Sequence, residues 1–479
     1  MPFTLNRRRF YEKALASFFA FCIFFFLAGC ASTKVDLEVE KYFSEGNYSA
    51  SASVIQKSIN KKNPPIDKAL DVAILNHYSK NYLQSSKDFN KTDRQMEDAY
   101  TKSISKSTGA ASLNENISDY TGNVYEYLLI NAFNSLNYYN MGEFDEALVE
   151  IRKIENKQKE YISKYGELAL QDLDIDTETL TESAKTMNVN MREVYRQTPR
   201  KPTEDDIYKD SAFAHYLAAL MYIKDKSGTP ELHVREYEAI NRGIKCASLR
   251  DDLKIPSGMG RLDFVSLAGK IIRRKEGTVY FPSFAANGTP IFLTSVTIGD
   301  ITIPAFRLKY VYPYVEADKN GNLVKPSDSI SSIKVTLSDG SNARLNLIEW
   351  FDEAVQKDVA LRARKDFIRS IFRSTTKKAA AVTSAAVAIR ATPEKFRSIT
   401  EIAVTKALDA VDLAETADIR QCRYFPSFAA GGGFTLKPGV YSAKVEYFDT
   451  NENLVGTETF ENLEVTAGRP TIVESICIK

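Results

Sequence analysis

The chain has 479 residues, enough for two or three domains. Its 63 basic and 62 acidic residues leave a net charge of +1, which excludes whole-molecule attraction to nucleic acid. Aromatic residues make up 11 % of the chain, mostly Tyr and Phe, as suits a packed globular protein.

Arg7, Arg8, Arg9 and Lys13 give the start a positive charge. Ala14 to Ala28 is almost wholly apolar and ends in Leu27-Ala28-Gly29-Cys30. This is the pattern of a secretory signal with small residues at its cleavage point, too short for a membrane span. Leu-Ala-Gly-Cys resembles a bacterial lipobox. The resemblance implies that Cys30 is acylated (a palmitate-type anchor) and becomes the first residue of the mature chain. Ala31 follows, not the aspartate that would suggest inner-membrane retention, so the expected address is the outer membrane, facing the periplasm. The alternative is a buried cysteine in a plain signal peptide. Cys22 would leave with the leader. Cys246, Cys422 and Cys477 remain, and in an oxidising compartment Cys422 with Cys477 is the expected disulfide.

The first half reads as helix pairs. In "NVYEYLLINAFNSLNYYNMGEFDEALVEIRKIENKQKEY" the first helix carries Val124, Leu128, Leu136 and Tyr139. Gly142 breaks the pattern, and Phe144, Ala147, Leu148, Ile151 and Ile154 form the apolar stripe of a second helix. Tyr138, Gly142, Phe144 and Ala147 resemble a tetratricopeptide repeat, with the small residue where the two helices touch. "LEVEKYFSEGNYSASASVIQKSI" repeats the scheme with Tyr42, Gly46, Tyr48 and Ile55, and "SAFAHYLAALMYIKDKSGTPELHVREYEAINRGIKC" is a third pair. Polar stretches at Ser103–Asn116 and Asp172–Pro202 interrupt the series, so a short superhelix is expected and a long solenoid is not.

The character changes near Ile255-Pro256. "GTVYFPSFAANGTPIFLTSVTIGDITIPAFRLKYVYPYVE" is β-branched and aromatic, cut by Asn-Gly, Gly-Asp and Pro. "SIKVTLSDGSNARLNL" predicts a hairpin at Asp339-Gly340. Helix returns from Ile348 to about Ala391, and strand returns from Asp418, with a hairpin in "GVYSAKVEYFDTNENLVGTETF" and a last strand in "PTIVESICI".

The fold class expected is α+β: N-terminal tetratricopeptide-like helical repeats, then a β unit interrupted by a helical insertion. The divisions are 1–29, signal peptide; 30–254, helical domain; 255–347, first part of the β unit; 348–416, insertion; and 417–479, second part of the β unit.

YFPSFAA occurs twice, at Tyr280–Ala286 and Tyr424–Ala430, each followed by glycine. The flanks do not align, so a duplicated domain is not indicated, and the lone serine has no acid or base beside it. Proline removes a ladder donor, so each copy should lie at an edge, a strand end or a bulge. Both copies are expected in one β unit, with Tyr280, Phe284, Tyr424 and Phe428 packing its core and the glycines allowing a sharp exit.

No motif announces catalysis. His77, His215 and His233 stand in no metal spacing, and no Cys-x-x-Cys, G-x-S-x-G or phosphate loop occurs. Asp172, Asp174 and Asp176 lack the glycine and final Glu of a calcium loop. No catalytic residue, metal or cofactor is expected. On the helix at 359–378, Arg362, Arg369, Arg373 and Lys377 share one face, opposite Leu361, Phe367, Ile368, Ile371 and Phe372. This is either a basic face for an anionic surface or an ordinary amphipathic helix docked on the β unit.

From Asn123 to Gly439 the order of elements is similar to an uncharacterised family of tetratricopeptide-containing bacterial outer-membrane lipoproteins. The residues that carry it are the Tyr125–Ile154 pair, Ala212-Phe213-Ala214-His215-Tyr216-Leu217 (without the family's Pro), Asn287-Gly288-Thr289-Pro290 (one residue shorter), and Ala417-Asp418-Ile419-Arg420-Gln421-Cys422-Arg423-Tyr424-Phe425-Pro426 leading to Lys437-Pro438-Gly439-Val440-Tyr441. In the fourth segment Cys replaces the family's Trp and Phe its Leu. The resemblance implies architecture and address, with no activity to transfer. The expected function is a non-enzymatic, lipid-anchored scaffold whose repeats offer a concave face to a periplasmic or envelope protein. The alternatives are a tethered regulator of cell-wall assembly, with peptidoglycan as a partner, and a hydrolase with an unrecognised site.

Overall fold

The computed structural model describes residues 34–107 except 61, 120–170, 191–280 except 209, 283–284, 290–291, 294–306, 309–326 except 320, and 328–479 except 414. The expected leader, Cys30 and the acidic run at 172–176 lie outside the described residues.

The chain is mixed α and β, with helices in its N-terminal part and sheets in its C-terminal part. Helices α1 (34–44), α2 (Tyr48–Ser58), α3 (Ile66–Tyr78), α4 (Tyr82–Ser107), α5 (Val124–Met141) and α6 (Phe144–Leu170) follow one another, and from α2 onward each packs on the next. Then come α7 (Met191–Gln197), α8 (Ala212–Asp225), α9 (Pro230–Ile240) and α10 (Ala247–Asp252). The hairpins turn where the sequence predicts. Gly142 takes φ 79° between α5 and α6, a left-handed value that costs glycine little. Asn47 caps α2 by accepting from the Ala50 amide at 3.1 Å. Ala147 is fully buried in α6, which packs along α5.

Two four-stranded sheets follow. One has the order β10 (Asn346–Trp350), β11 (Pro426–Leu436), β1 (Gly260–Lys270), β14 (Pro470–Cys477). The other runs β13 (Leu454–Val465), β12 (Gly439–Asp449), β8 (Ile330–Leu337), β9 (Asn342–Arg344). β1 is antiparallel to β11 and parallel to β14. Alternate β1 residues serve two cores. Leu262, Phe264 and Ala268 join Val335, Val445 and Tyr447 between the sheets, while Val265 and Leu267 join the helices. The result is three layers: helices, first sheet, second sheet.

A separate apolar cluster lies to one side. It unites β5 (Thr294–Ile298), β6 (Ile301–Phe306) and β7 (Lys309–Tyr314, paired with β2, Lys275–Tyr280) with two helices, α11 (Phe351–Ala391) and α12 (Arg397–Leu413). The helical insertion therefore shares a core with residues 275–314, against the expected division at 347. Its return to the sheet is as expected, because β10 and β11 flank it in sequence and pair with each other.

The YFPSFAA copies part company. The second enters the first sheet: Pro426 opens β11, Tyr424 is fully buried, and Phe428 packs between the sheets. The first begins at the end of β2, where Tyr280 is 37 % exposed. Its Ser283-Phe284 forms β3, which among the described residues pairs with β4 (Pro290–Ile291), and residues 281, 282, 285 and 286 lie outside the described set. The expectation of one shared β unit is corrected. So is the expected sharp exit: β11 runs straight through Gly431-Gly432-Gly433. A Cβ on Gly433 would stand 1.8 Å from Asp263 Oδ1, so these glycines admit close neighbours rather than turn the chain.

Candidate functional site: a polar groove over α5

The inner face of the helical array is not open. Tyr78 of α3 donates to the Tyr424 carbonyl at 2.8 Å, the Ile472 amide donates to Tyr139 of α5 at 3.0 Å, and Lys224 of α8 donates to the Pro470 carbonyl at 3.0 Å. The chain's own first sheet covers the face on which a partner was expected. The face left open carries a groove of about 500 Å³ between α4 and α6, floored by α5.

Its walls carry both signs of charge. Asp93, Arg94 and Glu97 come from α4; Glu146, Glu150, Lys153 and Lys157 come from α6. Lys157 is buried, ion-paired with Asp93, and its ammonium lies 4.0 Å from the centre of the Tyr127 ring. Burial pulls the Lys157 ammonium below its ordinary value, opposed by Asp93. Lys153 reaches Glu150 at 2.7 Å, and Glu150 accepts from Asn131 at 2.5 Å. Asn90 donates to Tyr138 at 3.0 Å.

Beneath the groove runs a feature the sequence reading passed over. Asn131, Asn134, Asn137 and Asn140 recur every third residue of α5. Asn131 holds Glu150 of α6, Asn134 holds Asn90 of α4 at 3.2 Å, Asn137 holds Ser85 of α4 at 2.9 Å, and Asn140 holds Glu474 of β14 at 2.6 Å. His77 completes the line. Its Nδ1 faces Asn137 Oδ1 at 2.8 Å and its Nε2 faces Glu474 Oε1 at 2.7 Å. Both ring nitrogens face acceptors, which calls for the doubly protonated imidazolium. The signal was present as "NAFNSLNYYN", but asparagine is a weak helix former and draws attention only when its period is counted.

Two further polar clusters lie outside the groove lining. Arg261 binds Asp252 at 2.6 Å and Asp263 at 3.0 Å, with all three side chains at or below 1 % exposure. Burial, then the mutual repulsion of the pair, pushes the Asp252 carboxyl well up. His215 Nδ1 lies 3.0 Å from His233 Nδ1, and Asp210 stands 2.9 Å from His215 Nε2. Both rings are buried. Among the described residues, no group of His, Cys, Asp and Glu could hold a metal ion, and no helix is long and apolar enough to cross a membrane.

Geometry overturns one expected disulfide and decides between the two readings of a candidate basic face. Cys422 and Cys477 are free and buried in different cores, the first against the helices and the second between the sheets. The basic face of α11 is engaged within the chain. Arg373 and Lys377 both grip the buried Glu415 at 2.7 Å, Arg362 meets Asp358 at 3.2 Å, and Arg369 has partners of its own. These cations dock their helix and do not form an open anionic-surface site.

Set against protein-family models, curated proteins and solved structures, the chain matches none.

Proposed function

We propose that the protein is a lipid-anchored scaffold of the outer membrane, facing the periplasm, that holds a segment of another envelope protein in the α4–α5–α6 groove. The observation that carries this reading is the groove itself, the open polar face of a helical array whose other face is spent on the sheet. It carries both charge signs, its walls add Asn90 and Asn156, and Tyr127 and Tyr138 line its floor, which suits an extended peptide with both charge signs. The resemblance of Tyr138, Gly142, Phe144 and Ala147 to a tetratricopeptide repeat supports the same class of role, and Leu27-Ala28-Gly29-Cys30 supports the anchor.

A photoreactive residue in place of Arg94, exposed on the groove wall, should crosslink a partner in intact envelopes. The same residue in place of Thr459, exposed on the second sheet, should not. Identical adducts from both positions, or none from Arg94, would reject the groove. The anchor is tested separately: Cys30→Ser should abolish labelling by a fatty-acid probe, and persistent labelling overturns it.

A further inference from the structure

The two buried histidines His215 and His233 stand in a line of four groups. Asp210 faces His215 Nε2 at 2.9 Å, the two Nδ1 atoms face each other at 3.0 Å, and His233 Nε2 faces Glu155 of α6 at 3.2 Å. A carboxylate only accepts, so each Nε2 carries a proton. Two bare Nδ1 lone pairs would repel at 3.0 Å, and so would two N–H groups. The spacing is that of a hydrogen bond with a single proton between the rings, so the four ring nitrogens share three protons. One ring is an imidazolium and the other is neutral. Tyr222 of α8 stacks on His233 at 5.3 Å and donates to Glu155 at 3.2 Å. The His233 hydrogen bond is the main cause that holds the Glu155 carboxyl below its ordinary value.

This line fastens one side of α6. Glu155 and Gln158, three residues apart, share a face of the helix. Glu155 is held by His233 of α9, and Gln158 donates to Asp210 just ahead of α8. Lys153, Asn156 and Lys157 from the same stretch of α6 line the groove. The other charged groups nearby are Arg152 and Lys159 of α6, beside Tyr222 and Glu155, and Glu349 of β10, which is bonded to Tyr208 and lies near Asp210. Glu231 and Arg235 of α9 are exposed.

We propose that the His215–His233 pair is an acid-released clasp that fixes the α6 wall of the groove, so that a fall in pH weakens the hold on the groove's occupant. The clasp stands on its own geometry, while its effect on an occupant rests on the groove reading. A fourth proton sets N–H against N–H and one positive ring against another, and the rings must part. Each ring keeps its own carboxylate, because a cationic imidazole binds it more strongly. His215 therefore stays with Asp210 at the start of α8, His233 stays with Glu155, and α8 and α9 separate. Gln158 ties α6 to the first of these and Glu155 ties it to the second, so α6 cannot follow both. The wall around Lys153 and Lys157 loses its fixed position.

The clasp is tested on the full chain without a partner. Hydrogen exchange of the α9 amides, corrected for the intrinsic effect of pH, should rise about tenfold or more between about pH 7.5 and about pH 5. The α6 amides from Ile151 to Gln158 should follow, and those of β1 should not. His233→Gln keeps a donor for Glu155 and removes the facing Nδ1, so its α9 exchange should be alike at the two pH values. The chain has three histidines, which allows a second measurement without substitution. Isotope-labelled imidazoles should show one proton shared by two Nδ1 atoms at about pH 7.5 and two separate N–H groups at about pH 5. Unchanged exchange in the parent, or rings that never share a proton, overturns the clasp. The link to the groove is read in intact envelopes with the photoreactive residue in place of Arg94. Its adduct should fall in acid in the parent and persist in His233→Gln. An adduct equal at both pH values in the parent overturns the link. No adduct at either pH rejects the groove itself, and the link with it, while exchange still decides the clasp.

Discussion

The helix-on-sheet body and the α11–α12 arm both bury paired charge, and they differ in how their exposed apolar groups are spread. In the body, charged groups go inside and are paired there: Arg261 with Asp252 and Asp263, and Glu126 with the amides of Asn123 at 2.7 Å and Cys422 at 2.5 Å. The arm likewise buries Lys378 and Glu415, while Val387, Ile399 and Ile402 stay exposed near its end. A buried charge requires partners with fixed geometry, so it ties layers together in one register. An exposed apolar flank gains nothing from its own chain and is satisfied only by something external. The difference teaches where to look for contacts beyond the chain: among the described residues the body scatters its exposed apolar groups, as at Leu37, Ile244 and Val440, and carries a polar groove, whereas the arm gathers four between residues 387 and 402.

The sharpest way to break the comparison is to empty one core and watch the other. Phe133 is fully buried at the meeting of Phe89, Phe213, Phe351 and Phe425. Phe133→Ala should destabilise the body by about 3–5 kcal/mol in urea unfolding. Ile371→Ala should cost the arm about 2–5 kcal/mol and leave the body's transition in place. If the two substitutions shift one common transition equally, arm and body are a single cooperative unit.

Overpacking comes next in size. Ala147→Leu should cost the body about 1–3 kcal/mol, because no space remains beside a fully buried alanine in α6. An unchanged melting temperature would mean that α5 and α6 can part at that point.

The His77 link between α3, α5 and β14 gives a pH dependence. Burial opposes its charge, but Glu474 and Asn137 outweigh burial and raise its pKa above the ordinary 6.5. A histidine whose folded pKa is raised stabilises the fold fully below its unfolded pKa, and loses that contribution as pH climbs through the folded value. Body stability should therefore decline above pH 6.5, and His77→Gln should flatten the decline. A parent and variant with parallel pH profiles would remove the imidazolium from the account.

The smallest effect sharpens the arm. Lys377 is 44 % exposed against the buried Glu415, so Lys377→Ala should cost about 1 kcal/mol or less. A larger loss would mean that the buried Glu415 depends on Lys377 more than on Arg373.

What the sequence determined by itself was local. Apolar stripes at helical spacing placed α5 and α6, Gly142 placed their turn, and Asp339-Gly340 placed the β8–β9 hairpin, because period and turn chemistry act within a few residues. β1 escaped notice: buried on both faces, "GRLDFVSLAGK" has no clean alternation, and its Arg and Asp look like solvent-facing residues until Asp252 and Ser248 meet them. Only the tertiary structure decided that the inner helical face packs on the chain's own sheet, that Cys422 and Cys477 sit in different cores, and that the two YFPSFAA copies serve different units. Each of these depends on contacts between residues far apart in sequence, where a side chain's chemistry stays the same but its neighbours do not. Arg373 and Lys377 show the difference. Their spacing on one face of α11 is written in the sequence, while the buried Glu415 that claims them both is supplied by the fold.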